Sequence, residues 1–196
     1  MLGSMTLTDH IRRSVDDEMR QSLAVLTRPS VRTFELFERK GGVNEALMYV
    51  LLASIVSAVV AAFMAFMPWH ADISPWAQFV NRLVGIPIQF GIFTGVVYWV
   101  GKQFFGGTGR YAEVAYTFAL FFVPLSLLSS ALGWIPVLGF FVSLLISLAL
   151  IYYGYLAVQS SMNIRGGANP AITLLVAALG TTALNFLVFG NWWQGF

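Results

Sequence analysis

Apolar positions along this chain gather into five long blocks separated by short polar breaks, at about 46–67, 79–100, 111–132, 135–158 and 170–189. Each block is apolar on every side of a helical wheel, unlike the one-sided stripe of a soluble helix. At ~1.5 Å of rise per residue, a helix of ~20 residues crosses a hydrocarbon core ~30 Å thick. A helix also satisfies its backbone groups internally, as that solvent demands, so every block is predicted to be a transmembrane helix. The central pair, Tyr111 to Leu132 and Ile135 to Val158, is divided only by Gly133-Trp134 and is predicted to form a tight hairpin.

Ahead of the blocks the period changes. Over residues 8–27, Ile11, Val15, Met19, Leu23 and Leu26 recur at spacings of three and four, with Arg13, Asp16, Asp17 and Arg20 between them. This pattern predicts an amphipathic helix with Thr8 at its N-cap and an apolar side open to a partner or a membrane surface. Pro29 suits a first helical turn, and a second helix from Ser30 to Lys40 stops at Gly41-Gly42. Val31, Phe34 and Phe37 share one side of it, with Arg32, Glu35 and Arg39 on the other. That helix is predicted either to lie among headgroups or to cap the bundle.

The predicted fold class is therefore all-α: a polytopic membrane helical bundle with five transmembrane helices and two N-terminal cytosolic or interfacial amphipathic helices. Residues 5–44 hold the N-terminal helices and 45–196 the membrane domain, while Met1 to Ser4 reads as an expression scar ahead of a start at Met5. The first apolar block begins only after Glu45, which is the wrong organisation for a cleaved signal peptide.

Within the spans, small residues at four-residue spacing predict close helix contacts: Ala53, Ser57, Ala61 and Ala65, then Gly91 and Gly95, then Gly139, Ser143 and Ser147. Pro87 and Pro124 each remove a helical hydrogen bond, and Ser126, Ser129 and Ser130 are placed to satisfy the carbonyl freed by Pro124. The amides Gln89 and Asn185 lie inside spans, and Gln89 is predicted to need an internal partner. An arginine at a helix centre costs at least ~2.5 kcal/mol, so Arg82 is predicted near the far interface. Pro68 to Trp76 reads as a polar loop flanked by tryptophans, Asn191 to Phe196 as an interfacial aromatic tail, and Gly106 to Gly109 as a flexible turn. Glu113 is predicted to pair with Arg110, three residues back.

Composition agrees with the pattern: 58% of residues are hydrophobic and 10% charged, against the ~25% charged of soluble domains. Without cysteine there is no disulfide, zinc-thiolate site, iron-sulfur cluster or thiol nucleophile. His10 and His70 are the only histidines, too far apart for a helical metal pair, although His70 and Asp72 could share a surface ion. No span carries the histidine or lysine that a buried serine nucleophile would need as its base. The glycine run at 106–109 lacks the strand and the Lys-Ser/Thr of a phosphate loop. No catalytic, cofactor-binding or metal residue is predicted, and neither an enzyme nor a nucleic-acid binder is expected.

Seven of the eleven Lys and Arg residues precede the first block, and ten of the eleven fall on one side of a five-span arrangement, with only Arg82 opposite. The positive-inside rule then places the N-terminus in the cytoplasm and the C-terminus outside.

Three features follow one another in the middle of the chain. Gly106, Gly107 and Tyr111 precede an aromatic-rich span whose first half ends at Pro124; the turn Pro136 to Gly139 follows; Tyr152-Tyr153 then leads to a short basic loop from Ser160 to Ala168. In this order of features, over residues 27–189, the chain resembles the bacterial Yip1 family, small multispanning membrane proteins related to eukaryotic proteins of early secretory traffic. The resemblance implies an integral protein of the bacterial cytoplasmic membrane. It suits a noncatalytic scaffold or adaptor in protein or lipid organisation, with the bilayer as partner and a protein or second copy at the N-terminal helix. A transporter, channel or lipid-translocating protein is the alternative, since helices broken near Pro87 and Pro124 could line a path.

Overall fold

The computed structural model describes residues 7–67, 74–135, 137–164 and 167–189, with the side chains at 7–12, 185 and 187–189 excepted. Seven helices account for nearly all of them: α1 Leu7–Thr27, α2 Val31–Phe37, α3 Val43–Met64, α4 Pro75–Phe105, α5 Tyr111–Leu132, α6 Leu138–Ser161 and α7 Asn169–Phe189. No strand occurs among the described residues. Four helices, α3 to α6, are long and apolar enough to cross a membrane, and α7 is a further apolar helix of 21 residues.

α5 is the axis of the bundle. Every residue from Glu113 to Phe121 is buried, so this stretch is enclosed on all sides. α3, α4 and α6 pack around it, α7 lies on α4 and α6, and α1 and α2 close the remaining side. The predicted small-residue face of α3 is confirmed: Ala53, Ser57, Ala61 and Ala65 are all buried. Ser130 of α5 donates to the Ser57 hydroxyl across 2.9 Å, and Ser126 bonds to the carbonyl of Val123, so neither hydroxyl takes up the Leu120 carbonyl as the sequence suggested.

Other expectations are corrected. α4 is longer at both ends than the apolar block, which takes Trp76 and Gly101 to Phe105 out of the predicted loops. Ser74 accepts a hydrogen bond from the Ala77 amide, Pro75 fills the first turn, and Gly106 ends the helix at φ 64°. α6 begins at Leu138 and continues to Ser161, three residues later at each end than its block. A Cβ on Gly91 or Gly95 would meet nothing within 4 Å, so that face brings no helix close. α4 instead buries the adjacent Phe90, Thr94, Val97 and Gly101, because larger side chains there gain ring contacts such as Phe90 against Phe122 at 5.3 Å. Ser143 and Ser147 are exposed, and Gln89 also faces outward rather than finding an internal partner.

The N-terminal helices form a wedge. Phe34 of α2 is 0% exposed and meets the edge of Phe121 at 6.1 Å, and Phe121 stacks on Tyr153 of α6 at 6.0 Å. Phe121 lies ten residues along α5, roughly 15 Å from its start at Tyr111. α2 therefore packs against α5 and α6 and caps the bundle. Ser30 caps it by accepting from the Thr33 amide at 3.1 Å.

Candidate functional site

The seam between the wedge and the bundle holds most of the polar chemistry of the near side, the side of the N-terminal helices. Three tyrosines, one from each of three bundle helices, hold α1. Tyr49 of α3 shares a hydrogen bond with Ser22 at 3.2 Å, Tyr116 of α5 donates to the Gln21 side chain at 3.1 Å, and Tyr153 of α6 donates to the Leu26 carbonyl at 2.8 Å. The edge of α1 turned inward is accordingly Glu18, Ser22 and Val25. Met19 and Leu23 of the apolar stripe stay 52% and 57% exposed, while Leu26 turns toward the core.

A second cluster lies where α2 ends. The Ser160 hydroxyl donates to Glu38 at 2.6 Å. Glu113 lies 3.2 Å from the Arg110 guanidinium and accepts from the Arg110 amide at 2.9 Å, closing the first turn of α5. The pair read from the sequence is thus present, and Arg39 adds a third member at 3.3 Å from Glu113. The glycine run beside it is no flexible turn. The Thr108 amide donates to the Met162 carbonyl at 3.0 Å, and Asn163 donates to the Thr108 hydroxyl at 3.2 Å. Gly109 sits so close to the backbone of Ser161 that no side chain fits there, and Gly41 lies equally close against the Tyr116 ring.

A family model described as the Yip1 domain matches residues 23–189, from the last turn of α1 through α7. The chain belongs to the Yip1 family. No curated protein and no solved structure matches it. In this Yip1 protein the matched region takes in the whole wedge from Leu23 onward, together with the glycine loop and α5 that carried the resemblance.

Electrostatically, the seam separates its three carboxylates. Glu113 has two arginines, and Glu38 has Ser160 and, at 3.8 Å, Arg39. Burial nonetheless raises the Glu38 carboxyl above the usual range, with the Ser160 bond opposing. Glu18 is 2% exposed, receives only a 3.4 Å bond from Ser14, and leaves its Oε2 without a hydrogen-bond partner. Burial pushes its carboxyl up to about 7; the Ser14 bond opposes this, and the charges of Glu45 and Asp17 add to it. Tyr49 of α3 and Tyr116 of α5 face the same space.

A pH dependence follows. With α1 docked, Glu18 holds its proton up to about 7, against an ordinary value of 4.5. The docked state therefore binds more protons across that interval, and its stability is greatest below it, falls as pH rises through it, and is level above. The expected loss between pH 5 and pH 8 is on the order of 1–3 kcal/mol, read as a fall in amide protection over residues 18–25 relative to the intrinsic exchange rate at each pH. Glu18→Gln should flatten the profile, and an unchanged slope in that variant would move the titration elsewhere.

Sequence reasoning passed over Glu18, Glu38, Tyr49 and Tyr116 as site residues, and noted Tyr153 only as part of the resemblance. The legible signal was a tyrosine near the same end of three of the spans, the first, third and fourth. Of the residues singled out earlier, the side chains of Thr8, His10, Ile11 and Asn185 and all of His70, Asp72, Pro136 and the tail from Asn191 lie outside the described set.

Proposed function

We propose that this Yip1 protein is a noncatalytic membrane scaffold or adaptor of the bacterial cytoplasmic membrane, with five spans, a cytoplasmic N-terminus and a C-terminus outside. The supporting observation is the way α1 is held. Its polar edge is latched to the bundle by Tyr49, Tyr116 and Tyr153, which leaves Met19 and Leu23 displayed outward on a helix that is itself anchored. An anchored helix with a free apolar side suits a protein partner or a second copy of the chain, since little ordering entropy remains to be lost on binding. A fifth crossing is supported by the 21 residues of α7, about 31 Å of helix, and the orientation by the basic N-terminal segment. The transporter or channel alternative fits less well, because Phe118, Phe121 and Val123 fill the centre of α5 and Gln89 faces outward.

The test is a double substitution, Met19→Glu with Leu23→Glu, in the full chain in native membranes. Crosslinks formed from α1 should disappear while insertion and melting stay unchanged; persistence of every crosslink would remove the adaptor reading. Single cysteines at Ser74 and Gln194 should react with an impermeant thiol reagent from outside, and one at Thr108 should not.

A further inference from the structure

At the far end of the bundle, Arg82, Ser129, Ser130, Gly133, Trp134 and Ser143 line a cleft of about 260 Å³. The residues come from three elements that the fold brings to one level. Arg82 is in the third turn of α4, Ser129 and Ser130 are in the last turn of α5, and Ser143 is in the second turn of α6. The α5–α6 turn that joins them is closed tightly: the Gly133 amide donates to the Ser129 carbonyl at 2.8 Å, and a Cβ on Gly133 would lie 2.6 Å from that oxygen. A side chain on Gly139 would run into the Gly133 carbonyl, so both glycines are needed to bring the two helix ends together.

Depth decides what such a cleft meets. The two cations of α4, Arg82 and Lys102, are 20 residues apart, ~30 Å along the helix, which is the thickness of a hydrocarbon core. Lys102 marks the near boundary, beside the Tyr98 hydroxyl at 2.9 Å. Arg82 then lies at the far boundary, with Trp76 stacked on Phe79 at 5.8 Å a turn or two beyond it. Among the described residues no carboxylate lies within ion-pair distance of Arg82. A guanidinium at that depth, with no counter-charge among the described residues, is placed to recruit an anion from its surroundings.

We propose that this cleft seats the phosphate of a phospholipid headgroup from the far leaflet, independently of the adaptor reading. One guanidinium offers one positive charge and a fork of donors, and the hydroxyls of Ser129 and Ser143 add uncharged donors. That set balances a phosphodiester, which carries a single negative charge, better than inorganic phosphate, which carries ~1.5–2 near pH 7. The volume equals roughly nine waters at ~30 Å³ each, room for a phosphate and a small polar head.

Native mass spectrometry of the full chain in detergent tests this, with phosphatidylglycerol, with a diacylglycerol of the same chains, or with inorganic phosphate. Bound phosphatidylglycerol should fall about tenfold in Arg82→Gln, partly recover in Arg82→Lys, and stay at the wild-type level in Arg32→Gln, an exposed near-side charge control. Ser143→Leu, at an exposed position where folding tolerates bulk, should block the cleft and lose the lipid as well. Equal retention of diacylglycerol, undiminished lipid in both Arg82→Gln and Ser143→Leu, or complete displacement by millimolar inorganic phosphate would overturn the assignment; the last result would make the cleft a site for a free anion.

Discussion

Alanine in place of Phe34 is expected to cost about 3–5 kcal/mol and to free the N-terminal helices from the bundle. The ring is fully buried at the point where α2 packs against α5 and α6, edge-on to Phe121, which in turn contacts Phe118 at 5.2 Å and Tyr153 at 6.0 Å. Truncation removes the whole ring and leaves a cavity among aromatic groups that cannot collapse far, because they are fixed to two helices, Phe118 and Phe121 to α5 and Tyr153 to α6. With its anchor lost, α1 depends on the burial of Val25 and on hydrogen bonds from Tyr49, Tyr116 and Tyr153, at about 1 kcal/mol each. Limited proteolysis at residues 27–30 should therefore accelerate sharply, and melting in detergent should fall. Leu36→Ala, two residues on and 62% exposed, should change neither. If Phe34→Ala melts like the wild type, α2 is not seated in the bundle.

Gly109→Ala is expected to be comparably severe, on the order of 3 kcal/mol or more. The added methyl would run into the carbonyl oxygen of Ser161. That obstacle is backbone at the end of α6, and it cannot swing aside as a side chain would. The loop cannot retreat either, since the neighbouring Thr108 is bonded through its amide to Met162 and through its hydroxyl to Asn163. Gly91→Ala provides the contrast: its new methyl meets nothing within 4 Å inside a helix, and the higher helix propensity of alanine should leave stability unchanged or raised by up to ~1 kcal/mol. Thermal melting of the two variants side by side reads the difference, and equal melting would place the glycine loop away from α6.

Several elements could be read directly from the residues. The apolar blocks named the long helices, since only a helix satisfies its backbone in lipid and length alone sets what can cross. The Arg110–Glu113 pair was legible because it is local, three residues apart on one turn. The small-residue face of α3 was legible because four small side chains at one spacing leave a groove whatever fills it.

The same rule misled at Gly91 and Gly95 and at Ser143 and Ser147. In lipid the outside of a helix is as apolar as its inside, so periodicity does not say which groove receives a neighbour. That choice depended on shape, on rings such as Phe90 meeting Phe122.

By itself, the sequence determined the elements that obey local or solvent-scale rules: helix rather than strand, the approximate lengths, and the concentration of positive charge before the first long helix. Only the tertiary structure decided that α1 docks by its polar edge, burying Glu18 and leaving Met19 and Leu23 outside. Ser22 and Gln21 are ordinary surface residues until tyrosines 27 and 95 positions away supply partners. Likewise, Arg82 joins Ser129 and Ser143 only because the tight turn after α5 brings three helix ends to one level. Contacts between residues distant in the chain carry no periodic signature, and which of many apolar faces meet is settled by the summed fit of the whole bundle.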